Sequence, residues 1–142
     1  MPVELSHLMQ LAMGRLPALQ VGDLPRPVAE YMHCHPAIVW LGAQQLQKIV
    51  RDHPEIRVEQ LQCLPFAIHD ARYYCDKERS NCLTAYYTAE LRGQYLIGIK
   101  PAIRGGEVWI QTFYRQDDKT ALRRQSKSSL IHDPICKRTP LI

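Results

Sequence analysis

Apolar residues near the start of the chain, Leu5, Leu8, Met9, Ala12, Met13 and Leu16, recur at helical spacing. They predict an amphipathic helix over Val3–Leu16 with one wide apolar face. Pro17 and the segment GDLPRP (22–27) then break the pattern, so residues 1–35 read as an N-terminal helical arm. Ile38–Leu41 is a short apolar run that fits a strand. Gln44–Asp52 returns to helical spacing, with Leu46, Ile49 and Val50 on one side. Pro54 ends that helix, because a proline disfavours helical backbone at the residue before it. His53 is therefore expected at or just past a helix C-terminus. Val58–Leu64 predicts a further short helix, ended by Pro65.

After Asp70 the period changes from 3.6 to 2. Arg72–Cys75, Cys82–Glu90, Tyr95–Ile99 and Glu107–Arg115 read as four strands joined by short polar or Gly-rich turns. Parallel strands need long crossovers, so short turns predict an antiparallel meander. Helices first and sheet second give an α+β fold, N-terminal helices packed on a four-stranded antiparallel β-meander. The division expected is 1–35 arm, 36–130 α+β domain, and 131–142 basic C-terminal tail.

Composition narrows the class. A chain of 142 residues with 46% hydrophobic and 23% charged content fits one globular domain rather than a disordered segment. No apolar run approaches the ~18 residues that span a bilayer, and the N-terminus lacks the basic region of a secretory signal. Five cysteines without a CxxC pair fit reduced thiols, and the expected location is cytoplasmic. The net charge of +4 is uneven: residues 119–138 hold six basic side chains against one acid. A basic segment on a near-neutral body points to an anionic partner such as nucleic acid.

Several chemistries lack their motifs. There is no phosphate-binding glycine loop, no GxSxG and no second cluster to complete a metal site with His33, Cys34 and His35. No cofactor or metal is expected. The polar end of the last strand is more informative. Thr112, Tyr114 and Arg115 offer hydroxyl, phenol and guanidinium groups, a set suited to holding phosphate. His53 can move a proton near neutral pH. Lys48, Lys100, Arg123, Arg124 and Lys127 supply supporting positive charge. RNA carries its own nucleophile, the 2′-hydroxyl, so these groups are sufficient for metal-independent phosphodiester cleavage. Strict alternation, however, sets Thr112 and Tyr114 on the face of Val108 and Ile110 and sets Arg115 on the other. All three share a site only if the strand bends or bulges.

The segments Lys48…His53-Pro54-Glu55-Ile56, IHDARYYCDKERSN (68–81) and VWIQTFYR (108–115), with Arg123 beyond, resemble the barnase–EndoU–colicin–RelE-like nuclease superfamily, and within it the phage and polymorphic-toxin branch. The resemblance covers about residues 39–130. It implies an α+β fold and a metal-independent endoribonuclease of toxin type. It also implies His53, Thr112 and, by position, Tyr114 and Arg115 as catalytic residues, RNA as substrate, and an antitoxin or immunity protein as a further partner. No histidine takes the place of the second one in EndoU-type pairs, unless His69 or His132 does. The competing expectation is a non-catalytic effector that docks nucleic acid or another anionic partner through its basic C-terminal segment.

Overall fold

The computed structural model describes residues 2–34, 37–76, 79–88, 93–101 and 107–134, and for residues 76 and 79–81 the backbone alone. The elements in chain order are α1 (Leu5–Ala12), β1 (Ala18–Asp23), α2 (Arg26–Met32), β2 (Ile38–Gly42), α3 (Ala43–Asp52), a 3₁₀ helix (Val58–Cys63), α4 (Leu64–Asp70), β3 (Arg72–Asp76), β4 (Arg79–Thr88), β5 (Gln94–Pro101), β6 (Val108–Gln116), α5 (Asp118–Ser126) and β7 (Ser129–His132). The α+β class holds, but the sheet has seven strands, in the order β1-β2-β6-β5-β4-β3-β7. The strands β3, β4, β5 and β6 pair in series and antiparallel. To these the fold adds β7 beside β3, and β2 parallel to β6 with β1 outside it.

Four expectations change for physical reasons. Pro17 and Gly22 do not end the sheet-forming chain. Residues 18–23 pair with β2, and Gly22 lies where the register of β1 slips. A Cβ there would come within 2.9 Å of Ile68 Cδ1, so glycine allows β1 and α4 to pack closely. Pro65 starts α4 rather than ending a helix, because in the first helical turn its missing N–H has no partner to lose. Residues 1–35, read as an arm, supply Val3, Leu8, Leu11, Val21, Leu24 and Val28 to the same buried cluster as the sheet. Of the expected basic tail, Ile131 and His132 belong to β7, and residues 135–142 lie outside the described residues.

One face of the sheet carries this main core. Tyr73, Leu83, Ala85, Ile97, Ile99, Val108, Ile110 and Phe113 are buried there with residues of α1, α3, α4 and the 3₁₀ helix. The other face bears a smaller cluster in which Ala121 of α5 meets Tyr86 and Leu96. Buried Gln125 ties α5 down: its Nε2 donates to Gln94 Oε1 at 3.2 Å, and its Oε1 accepts from the Tyr74 hydroxyl at 3.3 Å.

The face change along β6 is the detail that matters for function. Ile110 pairs with Ile99 and Thr112 with Gly98, so Gln111 is an extra residue against β5. That bulge reverses the alternation. Phe113 enters the core beside Ile97, while Thr112 moves to the α5 face over Gly98. Glycine is required at 98, since a Cβ there would sit 2.8 Å from Thr112 Cγ2. Gly98→Ala is expected to cost about 1–3 kcal/mol by overpacking, outweighing the ~0.4–1 kcal/mol gained from a stiffer unfolded chain. Adding Thr112→Ser, which removes the clashing methyl, should recover most of that loss in urea denaturation. Equal stabilities of Gly98→Ala and the wild type would contradict this packing.

Candidate active site

Helix α3 begins where β2 ends. The parallel pairing of β2 with β6 covers Val39 and Trp40 against Val108 and Trp109. Beyond it α3 packs against β6 in place of a strand. A sheet edge left by a short strand needs partners for its backbone groups. Gln45 provides one, its Nε2 donating to the carbonyl of the bulged Gln111. Gln45, Lys48, Ile49 and Asp52 follow one another at helical spacing. With His53, Gln111 and Thr112 they line an open cleft of about 240 Å³.

His53 is the C-terminal cap of α3. Its backbone N–H donates to the Ile49 carbonyl at 2.9 Å and its carbonyl accepts from Ile56 N–H at 2.9 Å, so both sides of the residue are fixed. The ring stacks on Tyr114, with centroids 4.5 Å apart and planes 14° from parallel. Its Nδ1 lies 3.8 Å from Glu55 Oε1, an ion-pair distance when the imidazole is protonated and too long for a hydrogen bond. The side chain keeps 28% of its surface open to solvent. A histidine that is held in place yet accessible is what proton transfer to a bound substrate requires.

Tyr114 links the cleft to α5. It packs against both buried clusters. Its hydroxyl accepts a hydrogen bond from Arg124 Nη1 at 3.1 Å. A phenol that accepts one bond still has its own proton to donate. The guanidinium of Arg124 thus stands beside a phenol whose ring stacks on the histidine. Asp117 caps α5 by accepting from Thr120 N–H at 2.6 Å, which holds the start of the helix that presents Arg124.

The structure therefore brings together His53, Lys48, Thr112, Tyr114 and Arg124. Arg115 does not join them. Its guanidinium carbon lies 5.5 Å from the centre of the Tyr95 ring, which stacks on core Phe113 and whose hydroxyl accepts from Gln60 Nε2 at 2.9 Å. The bulge moves Thr112 and Tyr114 to one face but keeps Arg115 opposite Tyr114, because alternation resumes after Thr112. Arg123 and Lys127 are exposed on and just past α5, and Lys100 is exposed on β5 opposite Trp109. None of these three lines the cleft. His69 and His132 also lie elsewhere. His69 Nδ1 is 2.9 Å from Asp70 Oδ1 in an exposed pair, and His132 is buried against Tyr73.

Gln45, Asp52 and Gln111 were not read as site residues from the sequence. For Gln45 and Asp52 the signal was the helical register of 45, 48 and 52 on one face of α3, whereas Gln111 enters the cleft through the bulge in β6. Burial pushes the Cys63 thiol up to about 11, and it also raises Cys34. Neither is the thiolate that nucleophilic catalysis uses. Among the described residues no three His, Cys, Asp or Glu side chains gather as a metal site would require, and His35 lies outside those residues. Among them, too, no helix is long and apolar enough to cross a membrane. No family model, curated protein or solved structure matches the chain.

The hydrogen bond from Thr120 holds the Asp117 carboxyl below its ordinary value. A lowered folded-state pKa means that the cap is fully present above the unfolded value, about 3.9, and is lost as pH falls through the lowered one. In an NMR titration the Thr120 amide should hold its position down to about pH 4 and move only below it. A transition centred above that value would contradict the cap.

Proposed function

We propose that the protein is a metal-independent endoribonuclease of toxin type whose site is the cleft between α3 and β6. One observation carries the reading: a fixed, solvent-accessible histidine stacks on a tyrosine that is hydrogen-bonded to an arginine, beside a threonine and a lysine. The resemblance of the HPEI and TFYR segments to the barnase–EndoU–colicin–RelE-like superfamily supports it.

In the proposed reaction His53 takes the proton from the RNA 2′-hydroxyl. The O2′–P bond forms and the P–O5′ bond breaks, leaving a 2′,3′-cyclic phosphate and a 5′-hydroxyl end. Arg124 and Lys48 oppose the charge that builds on the phosphorane. Thr112 donates a hydrogen bond to a phosphate oxygen, and the Tyr114 phenol gives its proton to the departing O5′; the proton taken up by His53 then restores the phenol by way of solvent. The exposed charges of Arg123, Lys127 and Lys100 guide the strand toward the cleft. Arg115 has no role in this scheme, because it lies across the strand.

The test is cleavage of mixed RNA in EDTA by the purified protein. His53→Ala should lower the rate by ~10²–10⁴, and Tyr114→Phe and Arg124→Ala by up to ~10²–10³ each. Arg115→Ala should cleave like the wild type. Salt-sensitive binding of RNA without turnover would instead favour the docking effector. Normal cleavage by His53→Ala would overturn the assignment.

A further inference from the structure

The α5 face of the sheet carries a second group of residues next to the cleft. Across four neighbouring strands Gln20, Trp40, Trp109 and Lys100 stand in register. Gln20 and Lys100 at the two ends of this row are exposed, and the two indoles between them are half-buried. Their ring centroids are 6.1 Å apart with planes 30° from parallel. The main core lies on the opposite face, where the neighbours Val39, Leu41, Val108 and Ile110 are buried. Packing of the core therefore does not call for an indole at either position. Any β-branched residue would serve the pairing of two short strands.

Trp109 and Thr112 share this face because of the bulge at Gln111. They are three residues apart on β6, roughly 10 Å along the strand. That is a short step along a single strand of nucleic acid. Aromatic rings on a sheet face, with a cation at the edge, form the platform on which single-stranded bases stack. We propose that Trp40 and Trp109 stack a base of single-stranded RNA, with Lys100 on its phosphate, next to the phosphate held at His53 and Thr112. This inference rests on the cleavage reading for the place of the scissile bond, and on the geometry of the row for the platform.

The chain has two tryptophans, and they are these two, so tryptophan emission excited beyond the tyrosine absorption reports on the platform alone. The probe is a short oligouridylate methylated at every 2′-oxygen, which cannot supply the nucleophile. Titrating it should quench tryptophan emission saturably. Trp109→Ala should weaken its binding by roughly five- to a hundredfold, the effect of one stacked base, while Trp109→Phe retains most of the affinity. Fluorescence anisotropy of an end-labelled copy measures binding independently, and circular dichroism checks that each variant is folded. If Trp109→Ala fails to fold, quenching of the wild type and the affinity of Trp109→Phe still decide. Binding without quenching, or equal affinity of a folded Trp109→Ala, overturns the platform and leaves the cleavage reading standing. Quenching by the probe with no cleavage of unmodified RNA keeps the platform and removes the cleavage reading. Absence of any binding overturns the platform as well.

Discussion

The extra residue in β6 sets the geometry on which the site depends. Without it, Thr112 and Tyr114 would continue the buried face of Val108 and Ile110, and Phe113 would point away from the core. With Gln111 bulged, Phe113 fills the core beside Ile97, and hydroxyl and phenol turn toward α5. Two further features keep the bulge in place. Gly98 leaves room for the Thr112 methyl, and Gln45 of α3 binds the Gln111 carbonyl. A core residue, a glycine and a helix side chain thus determine where two polar groups point. None of the three need touch a substrate.

The short parallel pairing of β2 with β6 is the second constraint. Because β2 gives way to α3 after Gly42, the helix runs beside the open part of β6 and ends with His53 against Tyr114. On the other side, Asp117, Gln125 and Ala121 anchor α5 so that Arg124 reaches the same phenol. Two helices from distant parts of the chain therefore meet at one strand residue. In the proposed chemistry this convergence sets a proton acceptor and a cation around one phosphate with little to reorganise on binding.

Much of this was readable where local pattern decides. The period of Gln44–Asp52 and Pro54 after it put His53 at a helix end. Strand-like residues in 72–115 marked segments of β3, β4, β5 and β6, but not the seven-stranded sheet to which they belong. The rest depended on contacts between distant residues. β1 was hidden because Pro17 and Gly22 read as breakers, although Gly22 serves close packing on Ile68. β7 is only four residues long, SLIH, too short to show a period, and forms by pairing with β3. The parallel contact of β2 and β6 leaves no local signature. Arg124 read only as part of a basic run, since its bond to Tyr114 requires α5 to fold back over the sheet. The bulge had one sign in the sequence: Phe113, a large apolar residue, stands out of phase with Val108 and Ile110.

The central proposal is that His53 and Thr112 of the cleft, with Tyr114 stacked beside them, hold one phosphate at a site from which Arg115 is excluded. The most direct measurement is an NMR titration of the protein with an uncleavable 2′-deoxy dinucleotide, followed at each residue. Shifts concentrated at Lys48, His53, Thr112 and Tyr114, with Tyr95 and Arg115 unmoved, are the predicted result. Shifts centred on Gly93, Tyr95 and Arg115, or no saturable shift at His53, would contradict it.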